Sequence, residues 1–261
     1  MSQKEHVKLF WTGGWDSTFR LLQLVIENKT SVYPYYIIDT NRSSVITEIK
    51  TLRDIKESIK SLDIQAYYRI KDIRFFSIHD INNKDINREA YLKLKDRSFL
   101  GMQYEWLSNF AEQFDIIDIE LSVHKDDTTF FFLKNSVEYV SDPITGSNYQ
   151  LRRGDASIEK EVNIIFKSFK FPLLDWTKIK MLNYAEKQGW SSIMDKTWFC
   201  HRPIRGKPCG ICNPCRYTIQ EDMSHRLPSL SILRYNTRYL YDMFNYIKKE
   251  KDRVKSLINL K

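Results

Sequence analysis

The sequence predicts an α/β fold: a parallel sheet with helices on both faces, followed by a C-terminal cysteine knuckle with helices of its own. Three observations carry this expectation. Short apolar runs at 7–12 (VKLFWT), 31–40 (SVYPYYIIDT) and 116–121 (IIDIEL) alternate with stretches of helical spacing, and strands alternating with helices imply parallel pairing. A glycine pair, Gly13-Gly14, stands where the first apolar run meets the first helical stretch. All four cysteines fall in one segment, CHRPIRGKPCGICNPC, as Cys200, Cys209, Cys212 and Cys215.

The first run, 7–12, is bounded by the glycine pair and reads as a buried strand. Residues 17–27 (STFRLLQLVIE) open with two hydroxyl residues and continue at helical spacing. The run 31–40 reads as a strand, with Pro34 suited to its first half. Residues 44–62 return to a helical period, with Ile46, Ile49, Leu52, Ile55, Ile59 and Leu62 on one face. A third strand is expected at 65–70, a helix at 97–113 and a further strand at 116–121. Residues 122–157 are irregular, containing the β-rich TTFFFL and the turn-like SDPITGSN. Helices are expected at 158–169, at 177–188 and from 228 to the end, where KKEKDRVK reads as a solvated face. The expected division is residues 1–195 as the α/β domain and 196–261 as the knuckle and C-terminal helical segment.

The 261 residues carry 41 basic and 33 acidic side chains, a net charge of +8. That balance admits a nucleic acid, a nucleotide or an acidic protein as partner. No apolar run approaches the ~20 residues needed to cross a bilayer, and the sequence opens on no secretory signal, so the expected compartment is the cytoplasm.

The loop Thr12-Gly13-Gly14-Trp15-Asp16-Ser17-Thr18 lies between a strand and a helix, where backbone N–H groups and the helix dipole favour an anion. Two glycines let the backbone approach a phosphate with no Cβ in the way. Thr12, Ser17 and Thr18 offer hydroxyl donors. Asp16 would repel a bare triphosphate, which argues for a bridging Mg²⁺. The pattern lacks the lysine of G-x-x-x-x-G-K-[ST] and is not G-x-G-x-x-G. An ordinary strand–turn–helix junction remains the alternative for the glycine pair alone.

The cysteine spacing, C-x8-C-x2-C-x2-C, supplies four thiolates, which suits one structural zinc with no position left open for catalysis. The C-x2-C-x2-C run also admits an iron–sulfur cluster with Cys200 as its distant ligand, and free thiols remain. Disulfides are disfavoured inside the cell. His201, beside the first cysteine, reads as a bystander.

The loop resembles the PP-loop, SGGxDS[ST], of the ATP pyrophosphatases, with Thr12 in place of the first serine. The cysteine segment, reading Cys200, Cys209-Gly210, Cys212 and Cys215-Arg216, narrows the resemblance to the QueC family of 7-cyano-7-deazaguanine synthases. Thr197-Trp198-Phe199, Pro172-Leu173-Leu174 with Lys178, and Arg97-Ser98-x-Leu100 are similar to further family segments, in the family's order, across residues 7–217. The resemblance implies a Rossmann-like fold of the adenine nucleotide alpha hydrolase type. It implies a C–N-forming ligase that splits ATP into AMP and pyrophosphate, adenylating the carboxylate of 7-carboxy-7-deazaguanine. Ammonia then yields the amide, and a second activation dehydrates it to the nitrile. Thr12, Gly13, Gly14, Trp15, Asp16, Ser17 and Thr18 would hold ATP and Mg²⁺, and Arg97 and Lys178 would neutralise charge developing on the phosphates.

Where the family carries a Y-P-D-C-R-P-E-like segment, this chain reads SVHKDDTTFFF, so that His124, Lys125, Asp126 and Asp127 leave the end of a strand. That departure fits a paralogue of the kind found in anti-phage operons, joining the activated carboxylate to a protein amine. A tRNA-modifying PP-loop enzyme and a nucleotide-binding module without turnover are the rival classes. A homodimer is the expected assembly; a nucleic-acid partner is possible but not favoured.

Overall fold

A computed structural model of the chain describes residues 6–142 and 145–239. The chain divides into two compact units, Met1–Asn41 with Val45–Trp198, and Arg42–Ser44 with Phe199–Lys261.

The first unit runs β1 (Val7–Phe10), α1 (Trp15–Leu22), β2 (Val32–Ile38), α2 (Val45–Leu62), α3 (Ile64–Arg69), β3 (Arg74–Ser77), α4 (Asp85–Arg97) and α5 (Gln103–Gln113). It continues with β4 (Ile119–Glu120), α6 (Phe130–Leu133), β5 (Val137–Asp142), β6 (Gly146–Leu151), α7 (Lys160–Phe166), β7 (Phe169–Lys170), α8 (Lys178–Lys187) and α9 (Ser191–Met194). Its sheet has the order β3-β2-β1-β4-β7-β6-β5. The strands from β3 to β7 pair in parallel, and the β5–β6 hairpin extends that sheet antiparallel to β7.

Side chains alternate across the sheet and separate two helical layers. Phe10, Tyr35 and Ile37 join a core with residues of α4, α5 and α7. On the opposite face the Trp11 indole N–H donates to Thr18 Oγ1 of α1 at 3.0 Å, and the Tyr36 hydroxyl donates to Glu48 of α2 at 2.7 Å. Pro34 is tolerated in the interior strand β2 for a geometric reason. Tyr35 faces β1, accepting from Trp11 N–H, so Pro34 faces β3. The β2–β3 ladder begins only at Tyr35↔Arg74, after an isolated bridge at Val32↔Ile70, and Pro34 falls in the gap.

Four local expectations change. Residues 65–70 lie mostly in helix α3, because Asp63 caps it, its carboxylate accepting from Gln65 N–H and Ala66 N–H; the third strand is β3. The helix expected at 97–113 begins only at Gln103, as α5, and Arg97 ends α4 instead of starting a helix. Ile46 and Leu62 are exposed on α2, whose buried stripe is Glu48, Thr51, Leu52, Ile55 and Ile59. The stretch 122–157 holds α6 and the β5–β6 hairpin.

α1 is tied to the sheet by a buried ion pair, Arg20 to Glu120 of β4, with both nitrogen–oxygen distances at 2.8 Å. Asn148 of β6 donates to the same carboxylate, and the Thr145 carbonyl accepts from Arg20. With its charges and donors paired, the cluster fixes α1, and hence the loop before it, against β4.

The second unit contains the four cysteines, α10 (Asn213–Gln220) and α11 (Ser229–Asn236). Of the helix expected from 228 to the chain end, α11 covers Ser229–Asn236, and residues 240–261 lie outside the described residues.

Candidate active site

β1 runs into Trp11, after which the chain turns through Thr12-Gly13-Gly14 and opens α1 at Trp15. Gly13 has φ +70°, and a Cβ there would stand 3.1 Å from Thr51 Cγ2. Its carbonyl accepts from Trp198 N–H at 2.8 Å. Gly14 precedes the helix in extended conformation, leaving the N–H groups of the first turn without intrahelical acceptors. The hydroxyls are loosely engaged: Ser17 Oγ accepts from Thr12 N–H and donates to Gly14 O, and Thr12 Oγ1 accepts from Gly14 N–H, each at 3.4 Å. The expected phosphate-facing residues therefore divide. Thr12 is exposed and Asp16 half-buried, whereas Trp15, Ser17 and Thr18 are buried, Ser17 close under the loop and Thr18 bracing Trp11.

Asp16 is the electrostatic centre of the loop. Lys178 Nζ, on the first residue of α8, donates to Asp16 Oδ1 at 2.6 Å. His124 Nε2 lies 3.8 Å from the same oxygen. Burial pushes the Asp16 carboxyl up, but the charges of Lys178 and His124 and the Lys178 hydrogen bond outweigh it and hold the group below the usual carboxylate range. The Lys178 ammonium already offsets the charge that the sequence left bare.

The segment after β4 is laced to the start of α8. Asp126 Oδ2 accepts from Lys178 N–H at 2.8 Å, Lys125 N–H donates to Trp176 O at 2.8 Å, and His124 Nδ1 accepts from Asp126 N–H at 3.2 Å. Asp127 closes the turn by accepting from Thr129 N–H at 2.8 Å.

Two residues at this end of the sheet were not anticipated. Ser122 Oγ is buried with no hydrogen-bond partner among the described residues. The register Leu9↔Glu120 places Ser122 beside Trp11, directly before the loop. Tyr104 of α5 is buried; that burial foremost, and then the charge of Asp127, pushes its phenol far above the usual range. No motif marks either residue. Only the end of β4 signals Ser122, and nothing local signals Tyr104.

Arg97 is not brought to the loop. It ends α4 half-exposed, and its ion pair is with Glu159, just ahead of α7.

In the second unit the four sulfurs lie within 4.8 Å of one another. The Cys212–Cys215, Cys209–Cys215 and Cys200–Cys212 separations are 3.4, 3.8 and 3.9 Å. A zinc–sulfur bond of about 2.3 Å gives a tetrahedral edge of about 3.8 Å, so the set is compatible with one zinc ion. The spacing is tighter than a cluster of several irons would need. Backbone N–H groups of Cys209, Ile211 and Cys212 point at the sulfurs, with distances of 3.2, 3.4 and 3.3 Å. Gly210 permits the turn: it has φ +87°, and a Cβ would fall 2.0 Å from Ser231 O. Among the described residues no other group brings three such ligands together, and the exposed His201 is not among them.

Compared with models of known protein families, the chain matches queuosine biosynthesis protein QueC over residues 7–220. The chain belongs to the QueC family. A comparison with curated proteins gives no match. The match begins at β1, passes through the Gly13-Gly14 loop and Lys178, and ends with α10, so both the loop and the cysteines lie inside it. QueC membership implies an enzyme of the ATP pyrophosphatase and ligase kind, with ATP-dependent activity like that of 7-cyano-7-deazaguanine synthase. No described helix is long and apolar enough to cross a membrane.

Proposed function

We propose that this QueC protein adenylates the carboxylate of 7-carboxy-7-deazaguanine, or a close analogue, and passes the acyl group to an amine. The observation that carries this reading is the Asp16–Lys178 pair, 2.6 Å apart at the mouth of the glycine loop. One carboxylate and one ammonium are stored against each other where a triphosphate would separate them. In the proposed reaction the loop N–H groups with Thr12 and Ser17 hold the phosphates. Lys178 turns from Asp16 to the phosphate oxygens, and Asp16 is freed to hold Mg²⁺. That ion would supply charge neutralisation on the pyrophosphate. A substrate carboxylate oxygen attacks the α-phosphorus while the bond to the bridging oxygen breaks and pyrophosphate leaves. The amine nitrogen then attacks the acyl carbon, expelling AMP and losing a proton to solvent. Dehydration of an amide to the nitrile requires a second activation of the same kind. Lys178 does the charge-neutralising work in this scheme; Arg97 joins only if it leaves Glu159. A single zinc held by the four cysteines has a structural role.

Incubation with ATP, Mg²⁺, the carboxylate and ammonia should release pyrophosphate and AMP, and mass spectrometry should find the amide or nitrile. Asp16→Asn and Lys178→Met should each lower the rate on the order of 100-fold, the scale of losing one preorganised electrostatic contact. Carboxylate-independent pyrophosphate release, or none at all, would sink the reading.

The segment 122–132 favours a second acceptor. His124 and Asp126 occupy the strand end where the family carries its Y-P-D-C-R-P-E-like residues, and they are tied to Lys178 and Asp16. A changed wall beside the reacting carboxylate suits a protein amine, as in an anti-phage paralogue, in place of ammonia. A tRNA-modifying enzyme would have to work without a thiol outside the cysteine cluster, since all four cysteines lie in it. A homodimer is the proposed assembly.

A further inference from the structure

The excess positive charge of this protein is segregated. Residues 199–261 hold 13 of the 41 Lys and Arg but only 5 of the 33 Asp and Glu, a net +8, while residues 1–198 balance at 28 of each sign. From Lys196 to Gln220 there is no carboxylate at all.

Within the cysteine unit two of the cations, Arg205 and Lys207, belong to one hydrogen-bonded turn. Ile204 and Lys207 exchange backbone hydrogen bonds of 2.9 and 3.1 Å around Arg205 and Gly206, whose φ values of 51° and 72° are those of a type I′ turn. Arg205 stands at its tip. Arg202, Arg205, Lys207 and Arg216 are all exposed, and none has an ion-pair partner among the described residues. Exposed aromatic rings lie among the cations in the chain. Tyr217, next to Arg216, is 57% exposed, and Tyr239 is 68% exposed with the Arg238 guanidinium 4.3 Å from its ring centre.

We propose that the cysteine unit is a docking surface for a single-stranded nucleic acid. A partner surface made of protein presents both signs and is matched by a mixed patch; a field of one sign suits a polyanion. Three of the four unpaired cations are arginines, whose planar fork matches phosphate oxygens. Exposed tyrosines and stacked guanidinium groups are platforms on which unpaired bases lie, whereas an acidic peptide offers no bases to stack on them. The surface involves neither the glycine loop nor Lys178, so it stands whether or not the adenylation reading holds.

Fluorescence anisotropy of a labelled 20-nucleotide RNA, with the matching DNA strand and a 20-residue polyglutamate in parallel, tests the assignment. Four neutralised phosphates predict a log–log salt slope of about −3, from roughly −0.7 per phosphate on single strands. Arg202→Glu, Arg205→Glu, Lys207→Glu and Arg216→Glu together should weaken RNA binding at least tenfold at 50 mM salt. Bound metal and melting temperature report whether that variant folds. If it does not fold, Arg205→Asn with Lys207→Gln is read in its place, asparagine being at ease with the positive φ of the turn tip, and a threefold or larger loss is expected. No RNA or DNA binding at 50 mM salt, a folded variant that binds as wild type does, or polyglutamate binding as tightly as RNA would each overturn the proposal.

Discussion

The glycine loop and the cysteine knuckle are both short turns built on glycines with positive φ, yet they treat their own polar groups in opposite ways. In the knuckle, backbone N–H groups of Cys209, Ile211 and Cys212 point inward at the sulfurs, and every cysteine is turned toward the other three. In the loop, Thr12 and Ser17 are held only by 3.4 Å contacts, and Asp16 is countered by a side chain from a distant helix. One turn is closed upon itself and suits a permanent ion. The other keeps exchangeable partners and suits a ligand that comes and goes.

The largest expected effect breaks the closed turn. Cys209→Ser should abolish tight metal binding and unfold the second unit, since metal-coupled folding in such knuckles is worth about 10 kcal/mol. Metal content and hydrogen exchange across residues 199–239 measure this. Retention of metal and protection would mean that the thiols are not the ligands. A smaller effect is expected at the open turn. Gly13→Ala forces a Cβ toward Thr51 at a φ of +70°, costing about 1–2 kcal/mol. ATP affinity should fall as well, because the loop backbone must shift. An unchanged melting temperature would show that the loop is not held as described.

The smallest effect sharpens the comparison. Arg97 and Glu159 are each 48% exposed, and such pairs contribute at most about 1 kcal/mol. Arg97→Ala should leave melting nearly unchanged and pyrophosphate release within twofold, if Lys178 alone serves the loop. A large loss would return Arg97 to the site. The Asp16–Lys178 pair should also respond to acid. Because the folded carboxyl is held below its ordinary 3.8, its contribution is complete above that pH and is lost as the pH falls through the folded value. The stability gap between wild type and Asp16→Asn, followed by acid-dependent melting, should close only in that range.

The sequence by itself determined the pieces whose chemistry is local. Alternating apolar runs specified the parallel strands, Gly13-Gly14 with Asp16 and Ser17 specified the loop, and the cysteine spacing specified the metal-competent knuckle. Such features rest on neighbours within a few residues, so the chain order displays them. Helix α3 was hidden because a single capping carboxylate, Asp63, outweighed an apolar, β-prone run. What only the tertiary structure decided is which distant residues complete the loop. Lys178 is 162 positions from Asp16 and meets it because α8 starts beside the end of β4. Arg97, equally plausible as a cation on paper, is claimed by Glu159. His124, Ser122 and Tyr104 acquire their surroundings from sheet register and helix packing. The physical reason is that an active site is assembled at the ends of strands far apart in the chain, and pairing across that distance leaves no periodic trace in the sequence.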